Sequence, residues 1–84
     1  MMHAIAHDHD RSYSLTTIRG RQPSRNRAGL RLLLQPQVGA PLIMYGGGGN
    51  SRVQTSRVVR TFDDAGGGGT YVETRNSLYL LTPE

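Results

Sequence analysis

Histidine and aspartate side chains, which can ligate a metal ion, are concentrated at the start of the chain. They are His3, His7, Asp8, His9 and Asp10. A structural zinc site needs four ligands held on a folded scaffold, and the first twelve residues contain only one branched apolar side chain with which to build one. A Ser-His-Asp triad likewise needs its histidine held against a buried aspartate. We therefore predict a disordered tail over residues 1–12, with neither a metal site nor a catalytic triad.

Two tetraglycine runs, residues 46–49 and 66–69, invite comparison with loops that bind phosphate. A P-loop continues with Gly-Lys-Ser/Thr so that its lysine reaches the phosphates, and this chain contains no lysine.

Asp63 and Asp64 are adjacent in a predicted turn, whereas paired carboxylates that catalyse must converge on one concave site. The sequence therefore predicts a protein that is not an enzyme and that uses no cofactor and no small-molecule substrate.

An arginine-rich segment without acidic residues carries the main functional signal. All ten basic residues are arginine, and residues 11–62 hold nine of them and no carboxylate, although the net charge of the whole chain is only +4. Such a concentrated positive field attracts polyanions. Within this segment Gln22, Ser24 and Asn26, whose side chains can donate hydrogen bonds to phosphate, alternate with arginines. The predicted nucleic-acid-binding residues are Arg19, Arg21, Arg25, Arg27 and Arg31.

The four tyrosines have two alternative roles. A tyrosine on the surface offers its ring face for stacking with a base. The chain has no tryptophan and one phenylalanine, so its tyrosines are also needed to fill the core, and we expect this second role to dominate. The residues concerned are Tyr13, Tyr45, Tyr71 and Tyr79.

The elements that must position the arginines are predicted to be short β-strands, because runs rich in valine, threonine, leucine and tyrosine alternate with turn residues. Leu30 to Gln35 fits a strand or a helix fragment, but Gly29 and Pro36 leave room for less than two helical turns. Residues 20–29 are predicted to form a loop. The predicted strands are 13–19, 30–35, 41–46, 52–62 and 70–81, the last two pairing as an antiparallel hairpin.

A chain of 84 residues with 36% hydrophobic residues can form one small domain with a thin core. We assign this domain to residues 13–84. A thin core gives marginal stability, and pairing with a second copy would add buried apolar surface, so a homo-oligomer is expected. The lack of cysteine favours a cytoplasmic protein, and no apolar run is long enough to suggest a membrane partner.

The two C-terminal strands carry a recurring pattern in which valine and threonine alternate before a serine. Its residues are Val53, Thr55, Ser56 and Val58, followed by Val72, Thr74, Asn76, Ser77, Tyr79 and Leu81. This pattern resembles the C-terminal hairpin of small, mostly uncharacterised SH3-like barrel proteins of bacteria and their phages. The resemblance implies a barrel fold and an accessory role, and it transfers no catalytic residue. The tetraglycine loops depart from the compact turns of such proteins.

Together these observations predict an all-β protein, a small SH3-like barrel of about five short antiparallel strands with glycine-rich loops. Its predicted function is that of a non-catalytic binding module that contacts DNA or RNA through the arginine-rich loop. The alternative is a protein-interaction or self-assembly module of plasmid, phage or accessory origin, whose exposed strand edges extend the sheet of a partner.

Overall fold

Six β-strands, each antiparallel to its neighbours, close into a barrel in the computed structural model, which describes residues 11–21, 26–46 and 52–84. The barrel closes because the first strand pairs with the sixth. The strands are β1 (Tyr13–Arg19), β2 (Asn26–Leu32), β3 (Pro41–Tyr45), β4 (Arg52–Asp63), β5 (Thr70–Thr74) and β6 (Leu78–Pro83). The predicted all-β barrel is confirmed, and its size and topology fit the small SH3-like barrel expected from the sequence.

The prediction of a single strand over residues 70–81 was wrong, because this segment folds back on itself. Thr74 N–H donates to the Ser77 carbonyl at 2.8 Å, and Ser77 N–H donates to Thr74 Oγ1 at 3.1 Å. The polar residues between these two therefore form a tight turn, and β5 and β6 pair as a hairpin. The barrel has six strands rather than five, and the predicted hairpin with β4 is formed by β5 alone.

The second strand was also predicted with the wrong start, since residues 26–29 belong to β2 and not to a loop. Polar Asn26 joins the sheet because its side-chain amide donates to Thr16 Oγ1 on β1 at 2.7 Å. The predicted disordered tail falls mainly on residues 1–10, which lie outside the described part of the chain. Its last residue, Ser12, accepts a hydrogen bond from Glu84 N–H at 2.9 Å.

The core lies inside the barrel and is built by alternate residues of all six strands, because successive side chains of a strand point to opposite faces of the sheet. Its apolar members are Tyr13, Leu15, Leu30, Leu32, Leu42, Met44, Val58, Val72 and Leu81. Within the described part of the chain these nine side chains form a small core, as the composition predicts. Among the described residues no helix is long and apolar enough to cross a membrane.

Buried threonines take over hydrogen bonds at the places where strand pairing is irregular. The pairing of β3 with β4 shifts between Pro41 and Ile43. There Thr55 Oγ1 accepts a hydrogen bond from Leu42 N–H at 3.0 Å and donates one to the Ser56 carbonyl at 2.7 Å. Since an unpaired buried N–H would cost about 1–3 kcal/mol, this hydroxyl allows the sheet to bend without losing stability.

Candidate nucleic-acid interface

The topology brings distant parts of the chain together at each end of the barrel. Because consecutive strands run in opposite directions, the β1–β2, β3–β4 and β5–β6 connections lie at one end. The β2–β3 and β4–β5 connections lie at the other end, beside Ser12 and Glu84. Each end therefore combines residues that are far apart in sequence.

Charge is distributed unequally between these two ends. Asp63, Asp64 and Glu84, three of the four described carboxylates, lie at the end that holds the β4–β5 connection, together with Arg11. Among the described residues the other end, which we call the arginine end, carries five arginines in its connections and at the adjoining strand termini, beside one carboxylate, that of Glu73. The arginines are Arg19, Arg21, Arg27, Arg52 and Arg75. The barrel is thus polarised along its axis, and an approaching polyanion is attracted to one end.

A cleft of about 700 Å³ opens at the arginine end. Among the described residues its lining contains two of the predicted binding residues, Arg21 and Arg27, and no carboxylate. Neutral groups that can contact phosphate, sugar or base surround them, namely Thr17, Gln54, Ser56, Asn76, Ser77 and Tyr79. By contrast, a cleft of about 610 Å³ at the opposite end is lined by Asp63 and Asp64. Only the first cleft is suited to an anion.

A β-bulge directs Arg27 towards this cleft. Tyr13 of β1 pairs with Leu30, but Leu15 pairs with Arg27, so β2 contains one extra residue between the two pairs. Cross-strand partners share a face of the sheet, and Leu15 is a core residue. Arg27 therefore points to the interior side of the barrel mouth, although uninterrupted alternation from Leu30 would point it outwards.

The bulge is made possible by Gly29 and held by the end of the chain. Gly29 has a φ of 71°, a left-handed conformation that costs little for glycine and is unfavourable for most other residues. Its N–H donates to Glu84 Oε1 at 3.0 Å, so the donor released from the strand ladder is satisfied. The position of Arg27 thus depends on a glycine that the sequence pattern assigns to a loop.

Arg19 is in a different situation from Arg21 and Arg27, because it shares a carboxylate with another arginine. Its guanidinium lies 3.6 Å from Glu73 Oε2, and Arg60 binds Glu73 Oε1 through two nitrogens at 2.9 and 3.0 Å. Exposed pairs of this kind stabilise a fold by at most about 1 kcal/mol. They do, however, neutralise part of the charge that Arg19 would present to phosphate.

Neither Arg19 nor Arg31 is among the residues that line the cleft. Arg31 lies on the outer face of β2, where it pairs with Tyr45 of β3, and Arg25 lies outside the described residues. Arg52 and Arg75 were not among the predicted binding residues, and they join the arginine end through the β3–β4 and β5–β6 connections. No local pattern marks them, because their position depends on strand pairing between distant segments.

The tyrosines divide between the two roles considered from the sequence. Tyr13 is buried in the core, and Tyr79 is half-buried and lines the cleft. Tyr71 stacks on Phe62 with ring centroids 5.0 Å apart, and Arg60 lies 4.8 Å from the centre of the Phe62 ring. Tyr45 is half-buried on the outer face of β3. The expectation that the core takes most of the tyrosines therefore holds fully only for Tyr13.

No group of three or more metal-ligating side chains occurs within residues 11–21, 26–46 and 52–84, and the three histidines lie outside these ranges. In the comparisons with known proteins, no family model, curated protein or solved structure matches this chain. The resemblance to small SH3-like proteins of bacteria and phages thus stays a prediction based on the two C-terminal motifs. The function has to be argued from the geometry of the barrel itself.

Proposed function

We propose that this protein is a non-catalytic module that binds nucleic acid through its arginine end. The observation that carries the proposal is that Arg21 and Arg27 lie beside one cleft whose described lining contains no carboxylate. Arginine binds phosphate through several N–H groups in a fixed planar arrangement. Two guanidinium groups at one cleft can therefore hold neighbouring phosphates of the same strand.

The neutral lining of the cleft supports this proposal. Amide and hydroxyl groups of Gln54, Asn76 and Ser77 can donate hydrogen bonds to phosphate or sugar oxygens, as such side chains commonly do in nucleic-acid complexes. In the described residues neither Arg21 nor Arg27 forms an ion pair, so binding does not first have to break one. The described lining also holds no histidine or carboxylate that could act as a general base.

A protein-interaction or self-assembly module is the second candidate. The observation that favours it is the exposure of Leu34 and Val38, each 67% accessible, in the β2–β3 connection. Addition of a partner strand is less well supported, because every described strand already pairs with two neighbours. A cytoplasmic location, which the composition favours, belongs to either candidate and is part of the same proposal.

The proposal predicts that binding weakens steeply with salt and that Arg21 and Arg27 account for part of this dependence. If all five arginines named from the sequence contact duplex phosphates, the slope of log affinity against log salt is about −4.5. The double variant R21Q/R27Q should reduce this slope by about 1.8 on a duplex and by about 1.4 on a single strand. Fluorescence anisotropy of a labelled oligonucleotide at several salt concentrations measures the slope.

Arg11→Gln provides the control, because it removes the same charge from the opposite end of the barrel. The salt slope of R11Q should stay close to that of the wild type. The melting temperatures of R21Q and R27Q should also stay close to that of the wild type, since neither Arg21 nor Arg27 has an ion-pair partner among the described residues. Equal effects of R11Q, R21Q and R27Q would show attraction by net charge alone. A complete lack of binding to DNA and RNA at low salt would refute the proposal and leave the protein-interaction module.

A further inference from the structure

We infer that the outer face of the barrel binds one unpaired base, so that the protein prefers single-stranded over duplex nucleic acid. The site is formed by Arg31, Tyr45 and Arg52, which we call the arginine–tyrosine row. This inference rests on the proposed function and names its substrate class. It uses side chains on a different face of the sheet from the cleft that carries the proposed function.

The strand register places the three residues side by side. Arg31 of β2 is opposite Tyr45 of β3, and Tyr45 is opposite Arg52 of β4. Residues directly opposite one another in antiparallel strands have Cβ atoms about 4.5–5.5 Å apart on the same face. The tyrosine side chain is therefore flanked by one arginine side chain on each neighbouring strand, in one continuous row across three strands.

The row faces outwards because the adjacent row faces the core. The adjacent row consists of three residues that are each one position away from a member of the arginine–tyrosine row. In it Leu32 is opposite Met44, and Met44 is opposite Val53. Leu32 and Met44 are buried core residues, and Val53 packs against that core. Successive residues of a strand alternate between faces, so the arginine–tyrosine row projects from the outside, where both arginines are exposed.

The groups of this row are not occupied by other parts of the described chain. Glu73 is the only described carboxylate in an ion pair, and its partners are Arg19 and Arg60. The one cation–π contact among the described residues is that of Arg60 with Phe62, so neither guanidinium of the row covers the Tyr45 ring. Tyr71, by contrast, already stacks on Phe62. Tyr45 is thus a half-buried tyrosine on the outer face whose ring is stacked on no aromatic or guanidinium group of the described chain.

The row is continuous with the cleft. Val53 and Gln54, which directly follow Arg52 in β4, both line the cleft that contains Arg21 and Arg27. A strand whose phosphates lie at the cleft can therefore continue along β4 and place a base on Tyr45. The flanking arginines would contact the phosphates on either side of that base. In a duplex both faces of each base are already stacked, so only a single strand can use the tyrosine in this way.

The inference is tested by comparing Tyr45→Ala and Tyr45→Phe with the wild type on a labelled thymidine oligonucleotide and on a hairpin duplex of equal charge. Because Tyr45→Ala removes the stacking of one base, it should weaken single-strand binding about 5- to 150-fold. Duplex binding should change by less than about twofold, because phosphate contacts dominate it. Tyr45→Phe keeps the stacking face and should retain single-strand affinity.

Tyrosine fluorescence gives an independent readout. Binding of the thymidine oligonucleotide should quench the wild-type emission, because direct stacking of a base on the tyrosine ring promotes non-radiative decay. Tyr45→Phe should lose most of this quenching while still binding. R31Q/R52Q should weaken single-strand binding without reducing the quenching per bound molecule. If Tyr45→Ala fails to show the β-sheet circular dichroism of the wild type, Tyr45→Phe quenching and R31Q/R52Q affinity decide the question.

The outcomes separate this inference from the proposed function. Equal binding of single strand and duplex, with no effect of Tyr45→Ala and no quenching, would overturn the inference. The proposed function would stand in that case as long as R21Q/R27Q reduced the salt slope. If neither oligonucleotide bound the wild type at low salt, both would be wrong.

Discussion

Truncation of Leu30 to alanine is expected to lower the free energy of unfolding by about 2–5 kcal/mol. The Leu30 side chain is 2% exposed and belongs to the core inside the barrel, so its removal leaves a cavity as well as losing apolar burial. A domain of 84 residues has a total stability of about 4–13 kcal/mol. Thermal unfolding followed by circular dichroism should show a fall in melting temperature of more than about 10 °C.

Leu34→Ala is the matched control, since it removes the same atoms from a leucine of the same run. Leu34 is 67% exposed in the β2–β3 connection, and its truncation should change the free energy of unfolding by no more than about 0.5 kcal/mol. Equal destabilisation by the two variants would mean that the connection is packed against something in solution, as a self-assembled or protein-bound state requires.

Gly69→Ala is expected to destabilise the protein by about 1–3 kcal/mol, because the new methyl group has no space. A Cβ at this position would overlap the carbonyl oxygen of Leu81 and lie 3.2 Å from Thr82 Oγ1. The first of these is backbone of β6, so it cannot move aside without disturbing the pairing of Thr70 with Leu81. Urea unfolding of the variant should give a lower midpoint with an unchanged slope.

Gly66→Ala, three positions earlier in the same tetraglycine run, should be neutral or stabilising by about 0.4–1 kcal/mol. The nearest heavy atom to its new Cβ would be Asp64 Oδ2 at 3.7 Å, an ordinary contact distance. The gain comes from the unfolded chain, which loses conformational freedom when glycine is replaced. A result in which both variants unfold at the same urea concentration would contradict the close approach of this loop to β6.

Part of the fold can be predicted from the sequence, and part of it depends on contacts between distant strands. The β class, the locations of β1, β3 and β4, and the antiparallel pairing of β4 with the segment that follows it are predicted by residue composition and by turn residues, which act locally. The extent of β2 does not follow in this way, because polar Asn26 is held in the sheet by Thr16 on another strand. The split of residues 70–81 is visible in the sequence only as a polar break, and it required the Thr74 and Ser77 hydrogen bonds to become a turn.

The candidate interface depended even more on long-range pairing. An arginine-rich, acid-poor segment is apparent from the sequence, and so is its affinity for polyanions. The sequence does not show that Arg27 turns towards the barrel mouth, because one extra residue beside Gly29 reverses the face on which it lies. It also does not show that Glu73 engages Arg19 rather than Arg21.

By itself the sequence determined which residue types are available and where. It supplies β-branched residues in the strand segments, glycine at the turns and more arginine than acidic residues. The tertiary structure decided which of these residues meet. Barrel closure placed Arg21, Arg27 and Asn76 around one cleft, and strand register placed Tyr45 between two arginines. The physical reason is that composition acts within a few residues, whereas register and bulges are set by pairing between distant strands, and a shift of one residue reverses every side chain beyond it.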